Sequence, residues 1–396
     1  MMFACQRNPY LRELKSVVIS CKKVADKYHV LLDDTVLFPE GGGQPDDRGK
    51  IGDVNVERVF RQGNQAIHVL SDPVSEKEAY DCKIDWERRF DHMQQHSGQH
   101  LLSAIAHQKY GFKTTSWDLG TKVSNVEFDT PNITQEQINL IEGECNERIR
   151  EHRDIIVHLM SKDEAMEVEE VKSRGLPEDV TENIRIVEMK GIEKNMCCGT
   201  HLSNTSEIQA IKLLHTESMR GGTRLFFLAG QRVVIKLASC IENEVSLTKL
   251  LSTGPDEHVK SIEKVQKSSK ALQRNCKSYL KEVATLEALQ IADVAKKEGA
   301  IFKHREDGDI DYINAFINQL KEKASECLIM VSAGEIKTGG MFVICGPESM
   351  VMKTGPKVAE VLDGKGGGKK NRYQGKASSF KKLAEAEKLV REILKE

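Results

Sequence analysis

The sequence predicts an α+β fold in four segments: a small β-barrel over 1–85, an α+β core over 86–230, a helical hairpin or coiled coil over 231–297, and an α/β domain over 298–396. Three observations carry this prediction. Short β-branched or alternating runs with turn residues between them occupy residues 16 to about 85. From Asp85 onward, helical and strand periodicities alternate in an α+β manner. Two long helical stretches, broken once by STGPDE, then lead into a last segment of strands and helices.

In order along the chain, KSVVISCKKV, YHVLLDDTVLF, VERVF and AIHVL read as strands, short and evenly spaced enough to close as a barrel. GGGQPDDRG at 41–49 is a turn cluster. WERRFDHMQQHSGQHLLSAIAHQKY places Phe90, Met93, Leu101, Leu102 and Ile105 at helical spacing. KVSNVEFD follows as a strand, and TQEQINLIEGECNERIRE as an amphipathic helix with Thr134 as N-cap and Gln137 three places on. IIVHLM, IRIVEM, IQAIKLLHTE and TRLFFLAG read as strands of one sheet. Helices are expected over 231–251 and 258–297. The second carries a heptad through Ile262, Val265, Ser269, Leu272, Cys276, Tyr279, Val283 and Leu286. The short turn between them favours an antiparallel hairpin and leaves a dimeric coil open. The last segment reads AIFKHR as strand, YINAFINQLKEKA as helix, CLIMVSAG and MFVICG as strands, and KVAEVL as helix. A glycine–lysine loop and the helix FKKLAEAEKLVREILK complete it.

At 396 residues the chain is long enough for several cores. Lys plus Arg number 58 against 60 for Asp plus Glu, so overall charge points to no polyanionic partner. With 30% charged and 5% aromatic residues the composition suits a soluble, helix-rich protein. MMFACQRNPYLRE lacks an apolar run behind a basic start, and no stretch approaches the roughly 20 apolar residues of a membrane helix. The ten cysteines are scattered, with only Cys197 and Cys198 close together. Free thiols in a reducing, cytoplasmic compartment are therefore expected.

His96 and His100 stand four apart on the expected helix, so one turn brings both imidazoles to the same face. Cys197 and His201 repeat that spacing. Either pair alone also fits surface or capping side chains. Both in one chain, each beside glycine, point to a tetrahedral Cys-His₃ set for one Zn²⁺ per chain. Ser97 stands where HExxH metalloproteases carry their general base, and no P-C-x-x-C is present, so peptidase and deaminase chemistry are not expected. Cys198 is expected as a small buried neighbour of the ligand Cys197, with Cys198 as ligand the alternative. Gln99 is assigned no role. Gly41, Gly42, Gly43 and Gln44 fit either a tight turn or a cradle for phosphate. Without the Lys-Ser/Thr of a P-loop no nucleoside triphosphate is expected. Between Lys365 and Lys382 lie seven basic residues and no acid. Lys365, Lys369, Lys370, Arg372 and Lys376, with Tyr373 among them, fit phosphate contact and base stacking as well as a solvated loop.

HSGQHLLSA together with CCGTHLSNTSEIQAIKL resembles the editing domain of alanyl-tRNA synthetase and its freestanding AlaX relatives, whose pattern is HxxxH, then CGGTH, then a Thr-x-Glu-Ile strand. LFPEGGGQPDDRG is similar to the glycine-rich motif of the longer AlaX forms, and VLDGKGGGKKNRYQGKASS to that of the synthetase's DHHA1-type domain. The resemblance spans nearly the whole chain in family order and is to the long, vertebrate-type form. Cys198 replaces the family's middle glycine. The resemblance implies a zinc-containing editing core, a DHHA1-like C-terminal domain, and a deacylase acting in trans, since no amino-acid-activating domain precedes these motifs. It implies hydrolysis of Ser-tRNA(Ala), with Gly-tRNA(Ala) a further candidate, sparing Ala-tRNA(Ala) and working on the tRNA(Ala) acceptor end. Thr114, Thr115 and Ser116, just before a strand in KTTSWDLG, are candidates to recognise the serine hydroxyl. The alternatives are a non-catalytic, zinc-stabilised tRNA- or partner-binding protein, or editing of Ser-tRNA(Thr). Oligomeric state stays open, a dimer through the C-terminal region being one arrangement.

Overall fold

The β-branched runs near the N-terminus form six antiparallel strands: β1 (Glu13–Val24), β2 (Lys27–Leu32), β3 (Gly49–Ile51), β4 (Val54–Gln62), β5 (Gln65–Leu70) and β6 (Ala79–Ile84). They close as a barrel in the order β1-β2-β5-β4-β3-β6, the last strand pairing back onto the first. The computed structural model describes residues 2–167, 184–292, 299–322 and 326–395. The chain divides into two units, Met1–Val245 and Ser246–Glu396. The barrel and the α+β core lie in the first. Val18, Val30, Ile51, Val59, Leu70 and Cys82 fill the barrel interior. A helical turn, α1 (Ala4–Arg7), precedes it.

The strand expected through YHVLLDDTVLF stops at Leu32. Asp33 and Asp34 explain the break. Asp33 accepts from the Val17 N–H at 2.8 Å, and Asp34 accepts from Ala4 and Thr35 N–H at 2.9 and 2.8 Å. Side-chain acceptors this close compete with a continuing ladder. The irregular segment that follows is nonetheless buried at Val36, Leu37, Phe38, Gln44 and Asp47.

His68 on β5 is fully buried, with Nε2 2.8 Å from Thr35 Oγ1 and Nδ1 3.1 Å from the Val30 carbonyl. Burial pushes its pKa down to about 4. The unfolded chain binds the imidazole proton near pH 6.5 and the folded one does not, so this contribution is intact above that pH and is lost as pH falls toward 4. Between pH 7 and pH 5 it should cost about 2 kcal/mol of stability. Urea unfolding of wild type and His68→Gln at both pH values checks this. Equal pH dependence in the two proteins would refute it.

The core begins with α2 (Trp86–Tyr110), capped by Asp85, which accepts from the Arg88 N–H, and ended by Gly111 at φ 70°. The stretch from His92 to Leu102 is buried on all sides although seven of its residues are polar Gln, His or Ser. A helix this polar runs through an interior only if its side chains find partners. Gln95 pairs with both backbone groups of Ala229, at 3.0 and 2.8 Å. Gln94 donates to the Glu207 carbonyl and accepts from the Gln231 N–H. Beyond α2 come β7 (Thr114–Asp118), β8 (Ser124–Phe128) and α3 (Gln135–Arg150), the last started by the reciprocal Thr134–Gln137 capping box that the sequence predicts.

The remaining strands are β9 (Ile155–Met160), β10 (Ile184–Met189), β11 (Glu193–Met196), β12 (Ile211–Met219) and β13 (Gly222–Ala229), with a short helix α4 (Lys162–Met166) after β9. They form two sheets, not the single one expected: β11-β10-β9 and β12-β13-β8-β7. The segment between them carries the reason. Thr205–Ile208 is a 3₁₀ turn and not a strand, because Asn204 accepts from the Ser206 N–H at 2.9 Å and Gln209 turns to φ 66°. The chain thus leaves one sheet before it enters the other. Met93, Leu101, Leu102 and Ile105 of α2 pack with Val126, Phe128, Leu225 and Phe227 as the core.

Helices α5 (Gln231–Leu251) and α6 (His258–Ile291) flank the expected break at STGPDE; residues 293–297 of the longer helix expected there lie outside the described residues. The second unit contains β14 (Ala300–Arg305), α7 (Ile310–Gln319), β15 (Leu328–Glu335), β16 (Gly339–Cys345), α8 (Glu348–Val361), β17 (Lys365–Lys369), β18 (Arg372–Ala377) and α9 (Leu383–Ile393). Its sheet runs β14-β15-β16-β18-β17, with only β14 and β15 parallel. One face packs on α7 and on Ala284 and Ala288 of α6. The other packs on α8 and α9. The expected glycine–lysine loop is a hairpin, β17 pairing with β18. Its glycines admit the Tyr373 ring: a Cβ on Gly366 would lie 2.8 Å from Tyr373 Cε1. No helix among the described residues is long and apolar enough to cross a membrane.

Candidate metal centre

One turn of α2 sets His96 and His100 on the same face, and the segment after β11 brings Cys197 and His201 against them. The four ligand atoms lie within 4.8 Å of one another. Cys197 Sγ is 3.3 Å from His96 Nε2 and 3.2 Å from His201 Nε2. A tetrahedral zinc with bonds of about 2.3 Å to sulfur and about 2.0 Å to nitrogen spaces S and N roughly 3.5 Å apart, so the set fits with a small expansion.

Each histidine is held from behind by its other nitrogen. His96 Nδ1 lies 2.9 Å from Gln44 Oε1, His100 Nδ1 2.7 Å from Glu193 Oε1, and His201 Nδ1 3.4 Å from Ser97 Oγ. That leaves Nε2 of each ring for a shared centre, the arrangement in which outer partners orient metal-binding imidazoles. The Gly199 N–H points at the Cys197 sulfur at 3.5 Å. Burial pushes His96 and His201 below the ordinary imidazole value, which keeps them in the neutral form that ligates. Burial opposes the charge on His100 and Cys197, but it is outweighed. The Glu193 carboxylate raises His100 to about 10, and the imidazoles packed around it hold the Cys197 thiol well below its usual value. A thiolate beside imidazoles that share its proton is a centre a divalent cation stabilises by replacing that proton.

The glycine motif proves to be the bracket of this centre. Gly41 and Gln44 exchange backbone hydrogen bonds at 3.2 Å, closing a tight turn. Gln44 then accepts from the Thr200 N–H at 2.9 Å and donates to Thr200 Oγ1 at 2.7 Å while holding His96. Gly43, at φ 79°, lies under the Trp117 ring, and Gly41 and Gly42 line the adjoining cleft. Gly199 has to be glycine, since a Cβ there would lie 2.3 Å from His96 Cε1.

The cleft, about 1190 Å³, is lined by His100 and Cys197 and also by Thr114, Thr115 and Ser116. These three sit within the edge strand β7, not ahead of it. Thr114 Oγ1 donates to Ser103 Oγ at 2.8 Å, and Gln99 Nε2 donates to the same oxygen at 2.9 Å. Gln99 Oε1 is buried with no partner among the described residues. Cys198 also lines the cleft and is exposed, which corrects the expectation of a buried filler: its backbone carbonyl is taken by Gln6, and its side chain turns outward. In the second unit Lys365, Lys369, Lys370 and Lys376 are exposed, and Arg372 is half-buried, bonded to Asn314. Tyr373 is 5% exposed and its ring stacks on Phe342, so the lysines and not the ring meet solvent. Glu193, Ser97 and Gln44 as braces are absent from the sequence reading; only the spacing of the ligands themselves was visible there.

Fold and site together define an α+β protein with a metal-ligand set in the wall of a cleft. The family described as the threonyl and alanyl tRNA synthetase second additional domain matches residues 184–226, which contain β10, β11, Cys197 and His201. Alanyl-tRNA editing protein Aarsd1-B of Xenopus laevis is 46% identical, the match covering 100% of this chain and 98% of the relative. Aarsd1 of Mus musculus is 43% identical with the same coverage. The putative alanyl-tRNA editing protein alaX of Saccharomyces cerevisiae is 29% identical over 95% of this chain and 93% of its own length. The chain belongs to the alanyl-tRNA editing protein family.

Proposed function

We propose that the protein hydrolyses the ester of mischarged Ser-tRNA(Ala) in trans and spares Ala-tRNA(Ala); Gly-tRNA(Ala), whose amino acid has no hydroxyl to be read, is the further candidate and would have to enter by its smaller size. The observation that carries this is one cleft lined both by the ligands His100 and Cys197 and by the hydroxyls of Thr114, Thr115 and Ser116. Water oxygen bonds to the ester carbonyl carbon, the bond to the ribose oxygen breaks, and the proton of the water ends on that oxygen. Serine and the free acceptor end leave. A binding pocket for alanine rejects one extra small group by only about 1–3 kcal/mol, which is why a second site is needed. That second site inverts the selection by hydrogen-bonding the hydroxyl that alanine lacks. Thr114, Thr115 and Ser116 are the residues proposed for that contact, Thr114 being set by its bond to Ser103. His96, His100, Cys197 and His201 would hold Zn²⁺, the cation suited to a Cys-His₃ set. Bound there it supplies a fixed positive centre in the cleft wall.

Purified protein is expected to deacylate Ser-tRNA(Ala) at least 100-fold faster than Ala-tRNA(Ala), in keeping with discrimination by a lost polar contact. Equal rates on the two would sink the hydroxyl-reading role, and no deacylation of any Ser-tRNA would favour a binding protein. Faster turnover of Ser-tRNA(Thr) would move the substrate to that tRNA.

The exposed Lys365, Lys369, Lys370 and Lys376, with Arg372, are proposed to contact tRNA phosphates. Each phosphate contact contributes roughly 0.7–0.9 to the slope of log K against log salt. Changing the four lysines to glutamine should therefore flatten the slope by about 3. An unchanged slope rejects the contact.

A further inference from the structure

We propose that Arg185 grips the phosphodiester preceding the terminal nucleoside of the substrate, and so fixes the nucleic-acid end against the metal-bearing wall. This rests on the deacylase reading above and adds to it the group that holds the nucleotide portion. Arg185, the second residue of β10, is 7% exposed and lines the cleft together with Cys197. Its Nη1 donates to the Cys197 carbonyl. Its Nε and Nη2 are buried and bond to no protein atom among the described residues.

A guanidinium buried with two idle donors is unfavourable unless an anion arrives, because each donor has lost water and gained nothing. No carboxylate among the described residues pairs with it. The two idle groups are also the informative ones. Nε–H and one N–H of Nη2 lie parallel on one edge of the planar guanidinium, the fork that takes two oxygens of a single anion. The third nitrogen is already spent on Cys197, so the guanidinium cannot swing away without losing that bond.

The lining charge narrows the occupant. Arg61, Lys113 and Arg185 line the cleft, and the one carboxylate among its described lining residues, Glu193, is bonded to His100. An aminoacyl-nucleotide offers this fork few choices. Its α-ammonium is cationic and is repelled. Its ester carbonyl presents one oxygen. Its phosphodiester presents two non-bridging oxygens and a full negative charge, the match for a bidentate guanidinium. Because Nη1 holds the backbone of a metal ligand, a phosphate on the opposite edge is placed in fixed register with the centre.

The test compares two seryl esters of the dinucleotide cytidylyl-adenosine, one with its natural phosphodiester and one with an uncharged methylphosphonate linkage. A third substrate is seryl-adenosine, which has no phosphate. Wild-type holoenzyme is expected to show a KM on the order of 30-fold lower for the phosphodiester than for the methylphosphonate, at similar kcat. Arg185→Gln should erase that difference, and Arg185→Lys, which keeps charge without the fork, should lose most of it. Equal KM values for the two dinucleotide esters with wild type would overturn the proposal without recourse to any variant, so misfolding of a variant does not obscure it. A difference between the two dinucleotide esters that survives in Arg185→Gln would overturn it too, by placing the phosphate contact on another residue. If wild type hydrolyses none of the three, the deacylase reading fails. Titration of the two dinucleotides without their seryl groups then decides the fork alone: preference for the phosphodiester, lost in Arg185→Gln, supports it, and equal binding overturns it.

Discussion

Cys197→Ser is expected to leave the barrel folded, to release the metal, and to lower deacylation of Ser-tRNA(Ala) by at least about 100-fold, since even outer partners of metal ligands change affinity or activity by 10–100-fold. The sulfur is the hub of the centre, 3.3 Å from His96 and 3.2 Å from His201, and it belongs to a residue that faces the cleft. Serine keeps the size and loses the thiolate, and with it the negative charge that offsets a divalent ion among three imidazoles. Gln44→Ala is the graded companion. It removes the brace on His96 and both bonds to Thr200 without touching a ligand, so metal affinity should fall by about 10–100-fold. Zinc content and circular dichroism on the same samples separate the cases. A folded, metal-free, inactive Cys197→Ser protein ties the metal to the reaction. A variant that unfolds assigns the metal to folding, and a folded, metal-free variant with wild-type activity refutes both roles.

What the sequence made legible was local. The pairs His96/His100 and Cys197/His201 are four residues apart, and a four-residue spacing shows without knowledge of the fold. The α2 apolar positions and the Thr134–Gln137 box obey the same short-range rules. What stayed hidden depended on contacts between distant residues or on one competing side chain. Gln44 lies 52 residues from His96 and 156 from Thr200, so the glycine motif reads as a cradle or a turn and not as a bracket. Glu193 lies 93 residues from His100. Arg185 is one charged residue at the start of an apolar strand, and nothing in a strand pattern says that two nitrogens of its guanidinium lack a partner among the described residues. Asn204 turned an expected strand into a 3₁₀ helix by a single side-chain bond, and that bend separates the two sheets. In the second unit the glycines and lysines look like a loop because neither favours strands. The pairing of β17 with β18, and the ring of Tyr373 that needs the glycines' missing side chains, override propensity there.

Asp47→Ala is expected to destabilise the first unit by about 3–5 kcal/mol, the cost of leaving a buried charge without its partner. Asp47 and Arg89 are both fully buried. The Asp47 carboxylate accepts from Arg89 Nε at 2.9 Å, from Arg89 Nη2, and from the Phe38 N–H at 2.7 Å. Arg89 also donates to the carbonyls of Pro9 and Val36, so one guanidinium joins α2 to the N-terminal segment and to the barrel loop. Desolvating both ions is itself expensive, and it follows that removing one is worse than removing the pair. The double variant Asp47→Ala/Arg89→Met should therefore be more stable than Asp47→Ala alone. The same loop carries Gln44, three residues before Asp47, so loosening it should weaken metal retention even below the unfolding temperature. Urea denaturation gives the stability, and zinc content after dialysis gives the second effect. A loss under about 1 kcal/mol, or a double variant less stable than Asp47→Ala, would mean that Arg89 finds water or another acceptor once Asp47 is gone. Tight metal binding in a destabilised Asp47→Ala would mean that Gln44 is positioned by its own turn and by Thr200, independently of the ion pair that anchors the loop.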